Sequence, residues 1–145
     1  MTDMHPDFPV VTGDYAMTKG WHIALPEEFN RRIDEGSLVL WRTELTFWIN
    51  VWNSEGKVAM AEVLERLRAE ASPARTGEQV DTTDTMIRLT YDLAEDDSER
   101  ADADSSSING FVIVPTGYVQ ISAYYDSPDA RVLAGVIIRS IAADS

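Results

Sequence analysis

The segment of residues 45–52 constrains the fold more than any other part of the chain, because its side chains alternate between two chemical classes. As a β-strand, it places four apolar side chains on one side: Leu45, Phe47, Ile49 and Val51. The side chains on the opposite side are aromatic and polar together: Thr46, Trp48, Asn50 and Trp52. The apolar set is expected to pack in the hydrophobic core. The aromatic and polar set is unusual for a surface whose only contact is with solvent.

The size and the charge of the chain limit its class. A chain of 145 residues with 44% apolar residues suits one globular domain with a substantial core. Its net charge of -13 argues against a nucleic-acid or anionic-membrane surface, because phosphate contacts need clustered Lys and Arg. The simplest explanation of the net negative charge is that it keeps the protein soluble. A more specific interpretation is that it attracts a basic protein partner or binds cations.

The chain has no cysteine, which excludes disulfides, zinc–thiolate sites and thiol chemistry. Its first residues have neither a basic start nor an apolar segment, so they do not indicate a secretory signal. No apolar run approaches the roughly 18 residues that a membrane span requires. We therefore expect a cytoplasmic protein with no membrane partner.

Periodicity and turn signals divide the chain into elements. Residues 1–18 predict an irregular lead-in, and residues 19–145 predict a single α+β domain. The predicted strands are residues 21–25, 38–42, 45–52, 86–93, 108–114 and 118–125. Helices are predicted over residues 26–36, over residues 58–70 and from Pro128 onward.

The first predicted helix rests on local signals. Pro26 suits the first helical position, and the two glutamates that follow it suit the positive end of the helix dipole. Phe29 and Ile33 would share one face of this helix, and Gly36 would end it.

The β-rich stretch of residues 37–52 is too long for one ordinary strand. We split it near Thr43-Glu44 into a hairpin. No Asn-Gly or Asp-Gly pair marks the turn, so one long bent strand is the competing interpretation.

The resulting order is β-α-β-β-α-β-β-β-α, in which strands occur in consecutive groups. This order favours an α+β fold with a largely antiparallel sheet and helices packed on it. The segments WHIALP (21–26), YYDSPD (124–129) and IRSI (138–141), together with the late hairpin, resemble the Mog1/PsbP-like fold group. That resemblance implies an α/β/α sandwich and a binding module more than an enzyme, and it assigns no functional residue.

Motifs for catalysis and metal binding are absent from the sequence. The two histidines, His5 and His22, lie in no recognised motif, and no Gly-x-Ser-x-Gly, His-Glu-x-x-His or Gly-rich phosphate loop occurs. The acidic residues 92–104 lack the glycine and the ligand order of a calcium loop. Glu44 and Asp92 are the strand-associated carboxylates for a glycosidase pair. The sequence therefore predicts no catalytic residue, no metal and no cofactor.

Three predicted strands carry a second set of aromatic or polar side chains. Residues 86–93 offer Met86, Arg88, Thr90 and Asp92, and residues 118–125 offer Tyr118, Gln120, Ser122 and Tyr124. If these strands are neighbours, their second sets form one surface with that of residues 45–52. The predicted binding residues are Trp48, Asn50, Trp52, Arg88, Gln120 and Tyr124.

Two interpretations of this surface compete. Trp, Tyr and Arg dominate binding energy at interfaces, because they bury much area and keep a polar handle. Alternatively, the rings pack as core beneath the helix of residues 58–70.

For function, the sequence favours a non-catalytic interaction module of the bacterial cytoplasm, an adaptor, chaperone or immunity-type protein that binds a protein partner, with basic partners favoured. One alternative is a small-molecule or carbohydrate binder, or an enzyme, with a carboxylate in a pocket near Trp48 or Trp52. Another alternative is a homodimer assembled through the same face.

Overall fold

A computed structural model describes residues 7–18, 20–53, 56–71, 73, 75–94 and 106–143. These residues form one antiparallel sheet of nine strands, with two helices packed on it. The predicted α+β class is therefore confirmed. The predicted order of elements is wrong, since the chain runs β-β-β-β-α-β-β-β-β-α-β.

The sheet consists of two four-stranded meanders joined in the middle. The strands are β1 (Val10–Thr18), β2 (Trp21–Asp34), β3 (Ser37–Arg42), β4 (Leu45–Asn53), β5 (Thr76–Thr82), β6 (Ile87–Ala94), β7 (Ser106–Val114), β8 (Gly117–Tyr125) and β9 (Ala142–Ala143). The helices are α1 (Met60–Glu70) and α2 (Pro128–Arg139). The spatial order is β1-β2-β3-β4-β8-β7-β6-β5, with β9 beside β2. Each meander is followed by a helix, and the halves join where β4 pairs with β8.

The helix predicted over residues 26–36 is wrong, because these residues belong to β2. The spacing of Phe29 and Ile33 fits a helix, but residues four apart also share one face of a strand. Strand pairing decides the outcome: Asn30 to Asp34 pair with β3, and Leu25 and Phe29 pair with β1. Pro26, which has no backbone N–H, lies where the register with β1 shifts.

The predicted irregular lead-in is also wrong over its second half. Residues 10–18 form β1, an edge strand that pairs with β2. Thr12 donates hydrogen bonds to the carbonyls of Leu25 and Glu27, which ties β1 to β2 near the register shift. Residues 1–6 lie outside the described residues.

The hairpin predicted within residues 37–52 is confirmed. β3 and β4 pair through Leu38 and Ile49 at one end and Arg42 and Leu45 at the other. The two-residue turn places Glu44 at a φ of 67°, in the left-handed region, whereas Thr43 does not have a positive φ. The alternative of one long bent strand is therefore wrong.

The sheet has a hydrophobic core on each face. The larger core packs α2 on β2, β4, β7 and β8, and it contains Phe29, Phe47 and Ile137. The smaller core packs α1 on β6 and β7, and it contains Leu67 and Phe111. The helices thus lie on opposite faces, and each covers part of an open sheet, so the full α/β/α sandwich is not confirmed.

Candidate functional site

The pairing of β4 with β8 aligns the second side-chain sets of both strands on one face. Four antiparallel pairs build this surface: Thr46 with Tyr124, Trp48 with Ser122, Asn50 with Gln120, and Trp52 with Tyr118. We call these eight side chains the aromatic-polar face. They lie on the same side of the sheet as α1, because Gln120 pairs with Phe111 of the smaller core.

The aromatic-polar face is in contact with solvent. Trp52 is 43% exposed, and the other seven residues are half-buried. Their neighbours on the opposite side of β4, Phe47 and Ile49, are 0% and 1% exposed. The helix α1 packs mainly on β6 and β7. It reaches the aromatic-polar face at Tyr118, which packs against the smaller core, and leaves Trp48 and Tyr124 partly exposed.

The prediction that Arg88 belongs to this surface is wrong. Arg88 of β6 pairs with Val112 of β7, whose side chain lies in the larger core beneath α2. Its guanidinium donates a hydrogen bond of 3.0 Å to the carbonyl of Arg139, the last residue of α2. The apolar set of β6 faces α1 instead, so the polar set that includes Arg88 lies on the opposite face of the sheet.

Hydrogen bonds between side chains hold the amides of this face and of its neighbours in place. The hydroxyl of Ser37 donates to Oδ1 of Asn50 at 2.7 Å. On the other side, the hydroxyl of Ser122 donates to Oδ1 of Asn109 at 2.7 Å, and Asn109 donates to Ser107 at 3.0 Å. These polar groups are fixed before any ligand arrives.

Aromatic rings bound the face at two ends. Trp52 stacks on Tyr118, with ring centroids 5.0 Å apart and an interplanar angle of 25°. At the other end, the guanidinium carbon of Arg32 lies 5.2 Å from the ring centroid of Trp41 and 5.9 Å from that of Trp48. Sequence analysis missed Arg32 and Trp41, although the pairing of β3 with β4 places Trp41 beside the face.

A cavity of about 310 Å³ lies where the aromatic-polar face meets α1. We call it the α1 cavity. Its lining residues are Trp52, Leu67, Glu70, Ala71, Tyr91, Phe111, Tyr118 and Gln120. Four of them are aromatic, and Glu70 alone carries a formal charge. Sequence analysis did not predict this cavity, because its walls come from four strands, β4, β6, β7 and β8, and from the C-terminal end of α1.

Near the α1 cavity, the carboxylate of Glu78 is paired with arginines, whereas that of Glu70 is not. Glu78 binds both Arg68 and Arg75 at 2.8 Å, and its hydrogen bonds to Arg75 and Arg68 lower its pKa. Burial raises the pKa of Tyr91, so its phenol stays neutral at physiological pH. Glu70 is exposed, and within the described part of the chain its carboxylate makes no hydrogen bond or ion pair.

The strand-associated carboxylates do not face the aromatic-polar face. Asp92 accepts from the guanidinium of Arg131 of α2 through both oxygens at 3.0 Å, beside a cavity of about 220 Å³ on the α2 side. The negative charge of Asp92 raises the pKa of Arg131. Glu44 lies in the β3–β4 turn.

The only histidine that the structure describes, His22, lies 3.1 Å from Asp14 at the sheet edge.

Within the described ranges, no group of three or more His, Asp or Glu side chains is arranged to hold a metal ion. The acidic residues 95–105 lie outside those ranges. Neither α1 nor α2 has the length and apolar character that crossing a membrane requires.

Comparisons with known proteins support the fold alone. No family model and no curated protein match the chain. A crystal structure at 1.50 Å resolution of a protein from Bacteroides thetaiotaomicron VPI-5482 is similar, with a TM-score of 0.58 and 15% identity. The match covers 93% of this chain and 50% of that protein, so this chain spans about half the length of that protein.

Proposed function

We propose that the protein is a non-catalytic interaction module, of the adaptor, chaperone or immunity type, that binds a protein partner on the aromatic-polar face. One observation carries this proposal: the register of β4 and β8 collects indoles, phenols and amides on one half-exposed surface. Trp48, Trp52 and Tyr124 supply large rings, and Asn50 and Gln120 supply hydrogen-bonding groups between them. Trp and Tyr are enriched among the residues that supply most of the binding energy at protein interfaces.

The side chains of the aromatic-polar face are held in place by their neighbours, which also supports a role in binding a protein. The amides of Asn50 and Asn109 are held by Ser37 and Ser122, and Trp52 is held by its stacking on Tyr118. Binding therefore immobilises few additional side chains, which lowers the entropic cost of association. Arg88 has no part in this proposal, because it binds the end of α2 on the opposite face.

The first alternative, a small-molecule or carbohydrate binder, is favoured by the α1 cavity. It places Trp52 and one carboxylate, Glu70, beside the same stacked rings, and sugars and planar ligands bind to such rings. The relation to the Mog1/PsbP-like fold group and the bacterial cytoplasmic location stay predictions, and the homodimer remains a competing hypothesis.

A capture experiment tests the proposal. The tagged protein captures partners from a lysate of its source cell, in parallel with the double variant Trp48→Ala and Tyr124→Ala. The control variant is Val132→Ser, which removes a 64% exposed apolar side chain from α2 on the opposite face. We expect wild type and control to capture the same partner, and the double variant to retain about a tenth of it or less, because interface aromatics each contribute about 2 kcal/mol. Identical capture by all three proteins would remove the aromatic-polar face as the docking site.

A further inference from the structure

The α1 cavity differs from the rest of the aromatic-polar face in its chemistry. Elsewhere on the face, hydrogen-bonding side chains separate the rings. In the cavity, four aromatic side chains line a concave space together with the carboxylate of Glu70 and the amide of Gln120. A volume of about 310 Å³ lies at the small end of ligand pockets, which suits one long side chain better than an extended segment.

The lining favours a positive charge over other occupants. The faces of aromatic rings carry negative potential and attract ammonium and guanidinium groups. Glu70 adds a full negative charge that is unpaired within the described residues. Glu70 is exposed, so an apolar occupant would leave its carboxylate in water and gain nothing from its charge. An anion would meet the carboxylate of Glu70 with like charge.

Two of the protein's own arginines already lie over rings of this cavity. The guanidinium carbon of Arg66 lies 5.9 Å from the ring centroid of Tyr118, and that of Arg75 lies 6.0 Å from the ring centroid of Tyr91. Both distances are those of cation–π contacts. Arg75 is bound by Glu78, whereas Arg66 lies on the exposed side of α1. The rings of this cavity therefore bind guanidinium groups within the chain itself.

We infer that the α1 cavity receives the side-chain cation of a lysine or arginine from a basic protein partner. This inference rests on the proposed function, since the cavity continues the aromatic-polar face on which the partner docks. The net charge of -13 favours the same kind of partner, because it attracts basic segments from a distance. The cavity then selects a single cationic side chain after the first encounter.

The test uses small probes of matched shape and the chain of 145 residues. Nα-acetyl-lysine methylamide is titrated against its neutral analogue, Nα-acetyl-norleucine methylamide. The readout is the indole N–H resonance of Trp52, assigned by its absence in Trp52→Phe. We expect the lysine probe to shift this resonance and to bind about tenfold more tightly than the norleucine probe.

Three charge variants locate the interaction. Glu70→Gln is expected to weaken lysine binding about fivefold and to leave norleucine binding unchanged. Glu65→Gln removes the same charge from the exposed side of α1 and is expected to leave lysine binding within a factor of two. Arg66→Gln removes a competing cation and is expected to strengthen lysine binding. Equal binding of the two probes, no binding of the lysine probe, or equal losses in the two glutamate variants would overturn the inference.

The outcomes separate this inference from the proposed function. If Trp48→Ala and Tyr124→Ala abolish capture of a partner but the probes bind equally, the docking face stands and the cation site is rejected. If the lysine probe binds as expected while capture is unchanged in the double variant, the cavity is a cation site and the sheet face is not the docking surface. Binding of free choline as tightly as the lysine probe would favour a small cation over a protein side chain.

Discussion

Gly117 links the β7–β8 turn to the position of Trp52. A Cβ atom at Gly117 would lie 2.2 Å from the backbone oxygen of Trp52, and its φ is 155°. The two strands approach this closely because Gly117 pairs with Asn53 at the end of β4. The glycine therefore fixes the backbone beneath the stack of Trp52 on Tyr118.

We predict that Gly117→Ala lowers the free energy of unfolding by about 3 kcal/mol, because backbone strain adds to a clash that no side chain can relieve. Gly36→Ala is the matched control: its φ is also positive, at 88°, but nothing lies within 4 Å of the added Cβ. That control should cost only about 1 kcal/mol, the cost of a left-handed backbone conformation for alanine. Urea denaturation followed by circular dichroism measures both, and equal losses would contradict the close-approach argument.

The residues of the aromatic-polar face were predictable because strand periodicity is local. Trp48, Asn50 and Trp52 alternate with a wholly apolar set, and Gln120 and Tyr124 do the same on β8, so each set was assigned to one side without knowing the fold. Their binding role stays a prediction. Glu70 was not predictable, because its place in the α1 cavity depends on how α1 packs on the sheet.

At the level of elements, the two hairpins and the last helix were predictable and β2 was not. Ser127 caps α2 by accepting from the backbone N–H of Ala130 at 3.1 Å, and Pro128 follows it in the first turn. These signals act within one turn of chain. In β2, similar signals near Pro26 were outweighed by pairing with β1 and β3 and by the burial of Phe29, which is 0% exposed. Because the strands that pair with β2 include residues distant in sequence, the residues of β2 alone carry no pattern that predicts this pairing.

The link between α1 and β5 is an ion-pair network. Glu78 of β5 binds Arg68 of α1 and Arg75, which precedes β5, each at 2.8 Å. The hydrogen bonds from Arg75 and Arg68 lower the pKa of Glu78 from its ordinary 4.5. The ionised form of Glu78 therefore stabilises the folded state more than the protonated form does.

We predict that Glu78→Gln lowers the free energy of unfolding at neutral pH by less than about 1 kcal/mol, the usual range for partly exposed ion pairs. Because the folded-state pKa is lowered, this contribution is fully present above the unfolded pKa and is lost as pH falls through the folded pKa. The difference between wild type and variant should therefore shrink below about pH 4.5. Urea denaturation at several pH values measures it, with Glu62→Gln of α1 as the control. A difference that grew on acidification would contradict the pKa direction.

At the scale of the whole molecule, the two helices determine which face each strand's apolar set must meet. β7 contributes to both cores, Val112 beneath α2 and Phe111 beneath α1. β6 contributes to the α1 core alone, so its polar set faces α2 and Arg88 is separated from Trp48. Sequence analysis assumed one core for all strands. Alternation shows that two side-chain sets separate, but it does not show which helix covers each set.

The homodimer alternative also belongs to this scale, because it depends on total charge. A two-fold dimer through the aromatic-polar face would bring together two copies of net charge -13, whose repulsion opposes association at low salt. Salt screens that repulsion, so high salt is the condition that most favours a dimer.

We predict a monomer of 16.2 kDa at both low and high salt. Sedimentation velocity over a range of protein concentrations measures the mass of the wild type, with Trp48→Ala as the variant of the face and Val132→Ser as the control. A dimer at high salt that Trp48→Ala abolishes and Val132→Ser preserves would assign the aromatic-polar face to self-association. The face would then be occupied within the dimer, and a basic partner would have to bind elsewhere. A monomer at every concentration leaves the indoles and amides of β4 and β8 accessible to such a partner.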